Sequence, residues 1–518
     1  MLHYDVVVVG SGPAGERGAA QAAALGRRVA IVEKEAVPGG ACVNTGTIPS
    51  KALRETALAI QQARGRGAFG LELRLSGAVT IPQLMGRRDV VTAHEHQRIR
   101  SNLSSLGVDM FRGNASFLAP HRVLVTPPDR GQTELEADVV LLATGTRPAH
   151  PSTIPFDHQR IYDSDSILML DHVPRSLAVL GAGVAGCEYA SIFAALGVHV
   201  SLVDSRDRVL PFLDAVPRSL AVLGGGVAGC EYASIFAALG VHVDIVDSKE
   251  RLLPWLDAEL SLAMQDLFAM AGIHMHQRVR AQKVEPGERD VLVTLSDGSR
   301  LVSEKVLVAA GRVGNVEGLN VEAAGLRADE KGFLKVNEFY QTEVPHVYAA
   351  GDLVGFPGLA STSMEQARVA MLHACGEAKQ KMTDLLPVGI YTIPEISGVG
   401  ETEESLREKR IPYVAGKCRL ADNARANLVG EPVGFLKLLA AAEGGRILGV
   451  HSIGPHASEL VHLGAAVMTL GGTLEYFVQA VFNYPTLGDA YKYAAYEALE
   501  RMKGAKVTRI DRAAGEKG

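Results

Sequence analysis

The stretch "GGACVNTGTIPSKALRE" (residues 39–55) sets a thiol, Cys42, five residues before a hydroxyl, Thr47, and nine before an ammonium, Lys51. A sulfur so placed works as a nucleophile or as half of a disulfide, provided that a second sulfur or an imidazole stands close by. The chain has five cysteines, Cys42, Cys187, Cys230, Cys375 and Cys418, none in C-x-x-C or His-pair spacing. That scatter suggests neither a disulfide framework nor a zinc site, so all five read as thiols and no metal is expected.

A second chemistry is written in glycines. "YDVVVVGSGPAGERGAAQAAALGRRVAIVEKE" (4–35) reads as a buried strand, a glycine turn, an Ala-rich helix and a second strand ending in an acid. Gly10, Gly12 and Gly15 fit G-x-G-x-x-G, and Glu33 lies 18 residues past the last of them. The glycines allow a tight turn and close approach of backbone to a pyrophosphate, the helix N-terminus favours the anion, and Glu33 would hold a ribose hydroxyl pair. An ordinary glycine turn shares the triplet, but strand, helix, second strand and terminal acid together supply the context that the dinucleotide fingerprint requires.

The device recurs twice. Residues 173–215 and 216–258 match at 36 of 43 positions, in register, each copy being a strand, helix and strand. Gly181, Gly183, Gly186 and the strand-end Asp204 of the first correspond to Gly224, Gly226, Gly229 and Asp247 of the second. Two units do not make a solenoid, so this is a tandem duplication inside one domain. Either each copy takes its own nucleotide, or the duplication is recent and structurally awkward. Near-identity at surface and buried positions argues against specialised roles, and one copy suffices for the first βαβ slot of a parallel sheet. The expectation is that the second copy, which runs straight into "AELSLAMQDLFAMAGI", sits in the sheet. The first copy is then a bulging insertion with an exposed apolar face. Beside the strand-end acid, Lys249 and Arg251, or Arg206 and Arg208, bear on tolerance of a 2′-phosphate, which leaves NAD or NADP preference open.

These segments need a large frame. At 518 residues the chain should form roughly three or four domains of about 100 to 200 residues each. With 47% apolar and 21% charged residues it is globular, and a net charge of −6 offers no basic field for nucleic acid or anionic lipid. No apolar run approaches the ~18 residues of a membrane span, and residues 1–5 lead into a strand with no basic leader, so a cytosolic chain is expected. "ADVVLLATGTRP" (137–148) and "KVLVAAGRVGN" (305–315) read as short strands entering glycine turns, typical of crossings between domains. "HVYAAGDLVGFPGLASTSMEQARVA" (346–370) is a strand ending at Gly351-Asp352, then a loop into a helix. The fold class is α/β: a nucleotide domain over 1–150, a second over 151–313 holding the duplication, a return segment over 314–386, an α+β domain over 387–505 and a loose tail over 506–518.

With these segments in order, the chain resembles the pyridine nucleotide-disulfide oxidoreductases, the flavoprotein class that includes dihydrolipoyl dehydrogenase and glutathione reductase. The resemblance implies two Rossmann-like domains, for FAD and for NAD or NADP, and a C-terminal dimerisation domain that builds a homodimer. It implies that Gly10, Gly12, Gly15 and Glu33 hold the ADP half of FAD, that Gly113 and Ala115 of "RGNASF" meet the adenine, that Thr144 and Gly145 line the pyrophosphate, and that Gly351-Asp352 binds the ribityl chain. The nicotinamide nucleotide would lie on whichever of the two copies occupies the sheet, and on Gly311. Lys51 would pair with Glu188 or Glu231 beside flavin N5, where a cation stabilises negative charge; an ordinary interdomain salt bridge would look the same.

Two departures qualify the resemblance. The family carries C-x-x-x-x-C here, and this chain has Thr47 at the second position; the family's H-x-H-P-T-x-x-E becomes "FNYPTLGD", with Tyr484 for the histidine and Asp489 for the glutamate. Disulfide exchange is thereby removed, while hydride exchange between nicotinamide and flavin is kept. "IYDSDSIL", "CEYASIF", "GIYTIPEIS" and "EYFVQAVFNYPT" resemble the Si-specific transhydrogenase subgroup of the family. The resemblance implies NADPH + NAD⁺ ⇌ NADP⁺ + NADH by ping-pong exchange at one pocket, with Cys42 a packing residue under the isoalloxazine. The competing readings are an NAD(P)H oxidase or diaphorase and an inactive flavin-binding paralogue.

Overall fold

The structure is a computed structural model that describes residues 1–45, 47–49, 51–52, 81–129, 131–148, 161–162, 177–180, 200–203, 219–223, 242–247, 256–270, 273–277, 281–286, 291–303, 306–308, 312–355, 357–377, 381–392 and 394–503. The chain divides into two compact units, one of residues 1–59, 73–172 and 310–383, the other of residues 60–72, 173–309 and 384–518.

In the first unit, Val6–Val9 and Val29–Val32 are near-continuous apolar runs, as strands buried on both faces must be. Leu2–Val9 pairs in parallel with Val29–Glu33 on one side and with Thr133–Leu142 on the other; Asp109–Arg112 extends the sheet beyond Val29–Glu33. The ten-residue strand Thr133–Leu142 serves two further partners on its other edge. Its first residues pair with the hairpin strand Arg122–Thr126, and its last three with Val347–Ala349, so the return segment closes the same sheet. Helix Pro13–Ala24 covers the sheet with small residues, and a Cβ on Gly18 would come 2.3 Å from Leu141 Cδ2. On this helix Glu16 is buried, and Arg98 of helix Ile81–Ser105 donates to both of its oxygens at 2.9 and 3.0 Å. Bidentate pairing of this kind compensates the desolvation of the carboxylate.

In the second unit both copies of the repeat form strands. Leu177–Leu180 pairs in parallel with Val200–Val203, and Ser219–Leu223 with His242–Asp247, in matching registers. The first copy's Leu177–Leu180 also pairs with Val306–Val308, and the second copy's His242–Asp247 with Ile273–Gln277. The expectation that one copy alone fills the sheet therefore needs correction. A βαβ unit offers one hydrogen-bonding edge on each side, and the duplication divides the two outer neighbours between the copies.

The C-terminal part of this unit is a five-stranded antiparallel sheet, in the order Val388–Ile390, Glu395–Gly400, Ile447–Gly454, Phe435–Ala441, Tyr413–Arg419, with helices Ala457–Thr469 and Ala490–Lys503 packed against it. The helix Ala490–Lys503 lies so close that a Cβ on Gly416 would sit 2.0 Å from Ala494 O. In the apolar strand Phe435–Ala441, Lys437 is only 1% exposed. Its ammonium donates to Asp257 Oδ1 at 2.8 Å, to Glu259 Oε2 at 3.0 Å and to Glu403. Asp257, fully buried, also accepts from the backbone N–H of Glu259 and of Glu403. Burial alone would push the Asp257 carboxyl up, but the Lys437 charge, with His451 and the hydrogen bonds, outweighs it and holds it below the ordinary carboxylate range. Among the described residues, Asp257, Glu259 and Glu403 are the one acidic group close enough to share a cation, and the Lys437 ammonium is bonded to all three.

Lys437→Met removes that cation and leaves Asp257 buried without it. Denaturant unfolding should show a loss of about 3–5 kcal/mol, the cost of breaking a buried pair; a loss under about 1 kcal/mol would contradict the assignment. Because the Asp257 pKa is depressed on folding, the stability it contributes is complete at neutral pH and is lost only as the pH falls below the ordinary carboxylate range.

Candidate active site

The site in the first unit is built on places where no side chain fits. Gly10 has φ +99°, and a Cβ there would lie 2.4 Å from Ala143 O; a Cβ on Gly15 would lie 1.8 Å from Gly10 O. A Cβ on Gly40 would lie 2.8 Å from Gly12 Cα. Gly351, φ +79°, brings its own chain against Ala14, 3.2 Å from the position of an added Cβ. Segments 10–15, 39–40, 143–145 and 351–352 thus converge on the start of helix Pro13–Ala24, whose N-cap, Gly12, has no side chain to cap the first-turn amides. Uncapped amides at the positive end of a helix dipole, with glycine-width access, fit a diphosphate.

Around this cradle the predicted residues are held by hydrogen bonds. Glu33 Oε2 accepts from Ser11 N at 2.9 Å and from Ser11 Oγ at 2.6 Å, while Oε1 accepts from Glu35 N, which fixes the carboxylate at the end of its strand. Gly113 N donates to Glu33 O at 2.9 Å, and a Cβ at Gly113 would strike the Thr126 backbone at 2.8 Å. Ala115, two residues on, is half-buried against the core. Thr144 Oγ1 donates to Asn315 O at 2.8 Å, Asn315 Nδ2 donates back to Thr144 O at 2.9 Å, and Asn315 N donates to Gly145 O. Asp352 opens a short 3₁₀ helix, Gly351–Val354, and its Oδ2 accepts from Thr146 Oγ1 at 3.1 Å. Gly351 N donates to buried Gln366 Oε1 at 2.8 Å.

The sequence reading missed several of these holders. Arg312 Nε donates to Thr146 Oγ1 at 2.6 Å and Nη2 to Thr146 O at 2.7 Å, so Arg312, Thr146 and Asp352 form a chain across 206 residues of sequence. Ser11, Asn315 and Gln366 were likewise unassigned. The one signal for them was position: Thr146, Arg312 and Asn315 flank the two crossing strands.

Cys42 sits half-buried in the short helix Gly40–Asn44, and the Thr47 hydroxyl is hydrogen-bonded to its thiol. Thr47 therefore meets the sulfur where a second cysteine would have to stand. Burial pushes the Cys42 thiol up; the Thr47 bond and the Lys51 charge pull it down without overcoming burial, and Asp352 and Glu95 add to the rise. Cys42, Thr47, Lys51 and Asp352 thus share one electrostatic neighbourhood, in which the thiol keeps its proton at neutral pH.

Glu188, Glu231, Gly181, Gly183, Gly186, Asp204, Gly224, Gly226, Gly229 and Gly311 lie outside the described residues, as do tail residues 506–518; Asp247 ends the strand His242–Asp247. In the second unit, Tyr484 is exposed and Asp489 half-exposed at the end of a 3₁₀ turn. Both act on Tyr493, whose hydroxyl is raised first by the Asp489 charge. Pro485 and Thr486, next to Tyr484, border a cavity of about 470 Å³ that is also lined by Arg425, His456 and Leu460.

Known proteins resemble this chain over nearly its whole length. The family model described as pyridine nucleotide-disulphide oxidoreductase matches residues 4–216 and again 211–374, and the dimerisation domain of that family matches 386–495. The first match ends and the second begins at the junction of the two copies. A soluble pyridine nucleotide transhydrogenase of Mycobacterium tuberculosis is 41% identical over 97% of this chain and 98% of its own length. One of Vibrio parahaemolyticus is 38% identical over 96% and 99%. The crystal structure of LpdA from Mycobacterium tuberculosis superposes with a TM-score of 0.80 at 27% identity, covering 96% of this chain and 99% of that one.

Two measurements check this geometry. Gly15→Ala should abolish retention of FAD, read as loss of the 450 nm band from purified protein, because its methyl group has no space; full flavin content would contradict the cradle. Alkylation of Cys42 by iodoacetamide, followed on its own peptide, should stay slow at neutral pH and accelerate only above the ordinary thiol range of about 8.5. Fast labelling at pH 7 would contradict the raised thiol.

Proposed function

Because the chain belongs to the pyridine nucleotide-disulphide oxidoreductase family, we propose that it is an FAD-dependent transhydrogenase that converts NADPH and NAD⁺ into NADP⁺ and NADH. The observation that carries the reading is the residue at position 47: where the family has its second cysteine this chain has a threonine, whose hydroxyl acts on the Cys42 thiol, so Cys42 has no sulfur partner at that position. The relatives named soluble pyridine nucleotide transhydrogenase, at 38–41% identity over nearly their whole length, support it.

FAD, when bound, supplies the two-electron chemistry by which a hydride leaves one nicotinamide and reaches another. The protein's residues bind and orient. The Gly10–Gly15 turn and the uncapped amides of helix Pro13–Ala24 hold the diphosphate. Glu33, pre-oriented by Ser11, takes the ribose hydroxyls of the adenosine, and Gly113 and Ala115 border the adenine. Thr144 and Gly145, stitched to Asn315, line the diphosphate from the other side. Asp352, fixed by Thr146, receives the hydroxyls of the sugar-alcohol chain. Cys42 fills space as a protonated thiol, and Lys51 adds positive charge beside it. The two nucleotides use the pocket in turn. Two copies of the chain assemble through the dimerisation segment, and Tyr484 and Asp489, in place of an imidazole and its carboxylate, leave no general acid for a thiol.

The test is anaerobic. With NADPH as donor, thio-NAD⁺ should be reduced rapidly, whereas lipoamide and glutathione disulfide should not be turned over. Cys42→Ala should keep the thio-NAD⁺ rate within about threefold, since no side-chain nucleophile takes part. Loss of the rate in Cys42→Ala, or turnover of either disulfide at a rate comparable to that of thio-NAD⁺, would overturn the proposal.

A further inference from the structure

Gly351 and Asp352 are each held by a side chain from elsewhere in the chain. Thr146 Oγ1, itself bonded by Arg312, donates to Asp352 Oδ2. Gly351 N donates to Gln366 Oε1 at 2.8 Å, and Gln366, on helix Ala360–Ala374, is only 4% exposed. A buried amide has two ends. With its oxygen committed to Gly351, the Gln366 amino group points elsewhere, and leaving it unpaired would be costly. Tyr340 supplies the acceptor: burial and the Glu365 charge push its hydroxyl up, while a hydrogen bond from the Gln366 side chain pulls it down, as a donor does. The hydroxyl donates its own hydrogen to Met382 Sδ at 3.5 Å.

The backbone of Tyr340 is strained to make this contact. Its φ is +62°, in the left-handed region that a bulky side chain rarely adopts. Hydrogen bonds hold it there. Tyr340 N donates to Asn337 O at 2.9 Å, and Asn337 Oδ1 accepts from Phe339 N at 2.9 Å and from Gln341 N at 3.1 Å. Tyr340 O accepts from Ala349 N at 3.0 Å, and Ala349 ends the strand Val347–Ala349, two residues before Gly351. Main chain and side chain of Tyr340 thus converge on one pair: the backbone ties to the strand that delivers Gly351-Asp352, the hydroxyl to the amide that holds Gly351 N. A turn that served packing alone would be met by glycine or asparagine at this φ, with no hydroxyl required.

We propose that Tyr340 and Gln366 are positioning residues for the flavin: the Tyr340 hydroxyl orients the Gln366 amide, and the amide fixes the Gly351 peptide so that Asp352 meets the sugar-alcohol chain. The inference rests on the reading of Gly351-Asp352 as a flavin-binding pair. Without the hydroxyl the amide is free to turn over, and a turned amide sets its amino group against the Gly351 N–H, donor against donor. Gly351 then loses its acceptor, and Asp352 loses its fixed position. Tyr340 acts only through Gln366, so the two residues contribute one effect between them.

The test follows release of FAD from the loaded enzyme, read as the rise of flavin fluorescence on dilution, for Tyr340→Phe, Gln366→Met and the double variant. Tyr340→Phe keeps the ring and its packing and removes the hydroxyl alone. Each single variant should release FAD about tenfold faster, the loss of one hydrogen bond from a charged group, and the double variant no faster than Gln366→Met, because the two residues act as one unit. The thermal unfolding midpoint of each variant, taken without FAD, separates positioning from scaffolding. A lowered midpoint with release at the wild-type rate in Tyr340→Phe overturns the inference and leaves the flavin reading intact, as does release about a hundredfold faster in the double variant, the product of two independent effects. A wild-type chain that takes up no FAD overturns the flavin reading and the inference together.

Discussion

The candidate site depends on backbone approaching backbone at the start of helix Pro13–Ala24. Gly10, Gly15 and Gly40 each stand where an added carbon would come within 3 Å of main-chain atoms, and Gly351 stands nearly as close to a side chain. Contacts that tight cannot be relaxed by a rotamer change. They fix four stretches of chain, the first and last more than 330 residues apart in sequence, around one set of uncapped amides. The Glu33 carboxylate and Asp352, both assigned to the flavin, are held in place by hydrogen bonds of 2.6–3.1 Å.

What surrounds the point determines chemistry by subtraction. The thiol and the lysine of the family's disulfide-exchanging site are present as Cys42 and Lys51, but the second sulfur's position is taken by the hydroxyl of Thr47, which acts on the first. Burial then keeps the remaining thiol protonated. A chain that binds flavin and nicotinamide but lacks a dithiol has to pass electrons from one soluble carrier to another, and the transhydrogenase relatives fit that constraint.

Much of this is legible in the residues. Glycine triplets, strand-end acids and the Thr47 substitution are local signals, so the first nucleotide turn, Glu33 and the altered sulfur site could be read directly. Long-range holders could not. Arg312 reaches Thr146 across 166 positions, and nothing near either residue announces the other. Lys437 is hidden in a strand that reads as apolar, because its compensating carboxylates arrive from Asp257 and Glu403, one of them 180 residues away. The repeat shows a third limit. Two near-identical sequences carry equal local signals, and only pairing with Val306–Val308 or Ile273–Gln277 distinguishes them.

The central claim, that flavin is the one redox group in the site, is tested most directly by anaerobic titration of the FAD-loaded enzyme with dithionite. The account predicts complete bleaching of the 450 nm band and an end point at about one two-electron equivalent per FAD, with no further uptake. An end point near two equivalents per FAD, as a flavin and a reducible sulfur pair together would require, would contradict it.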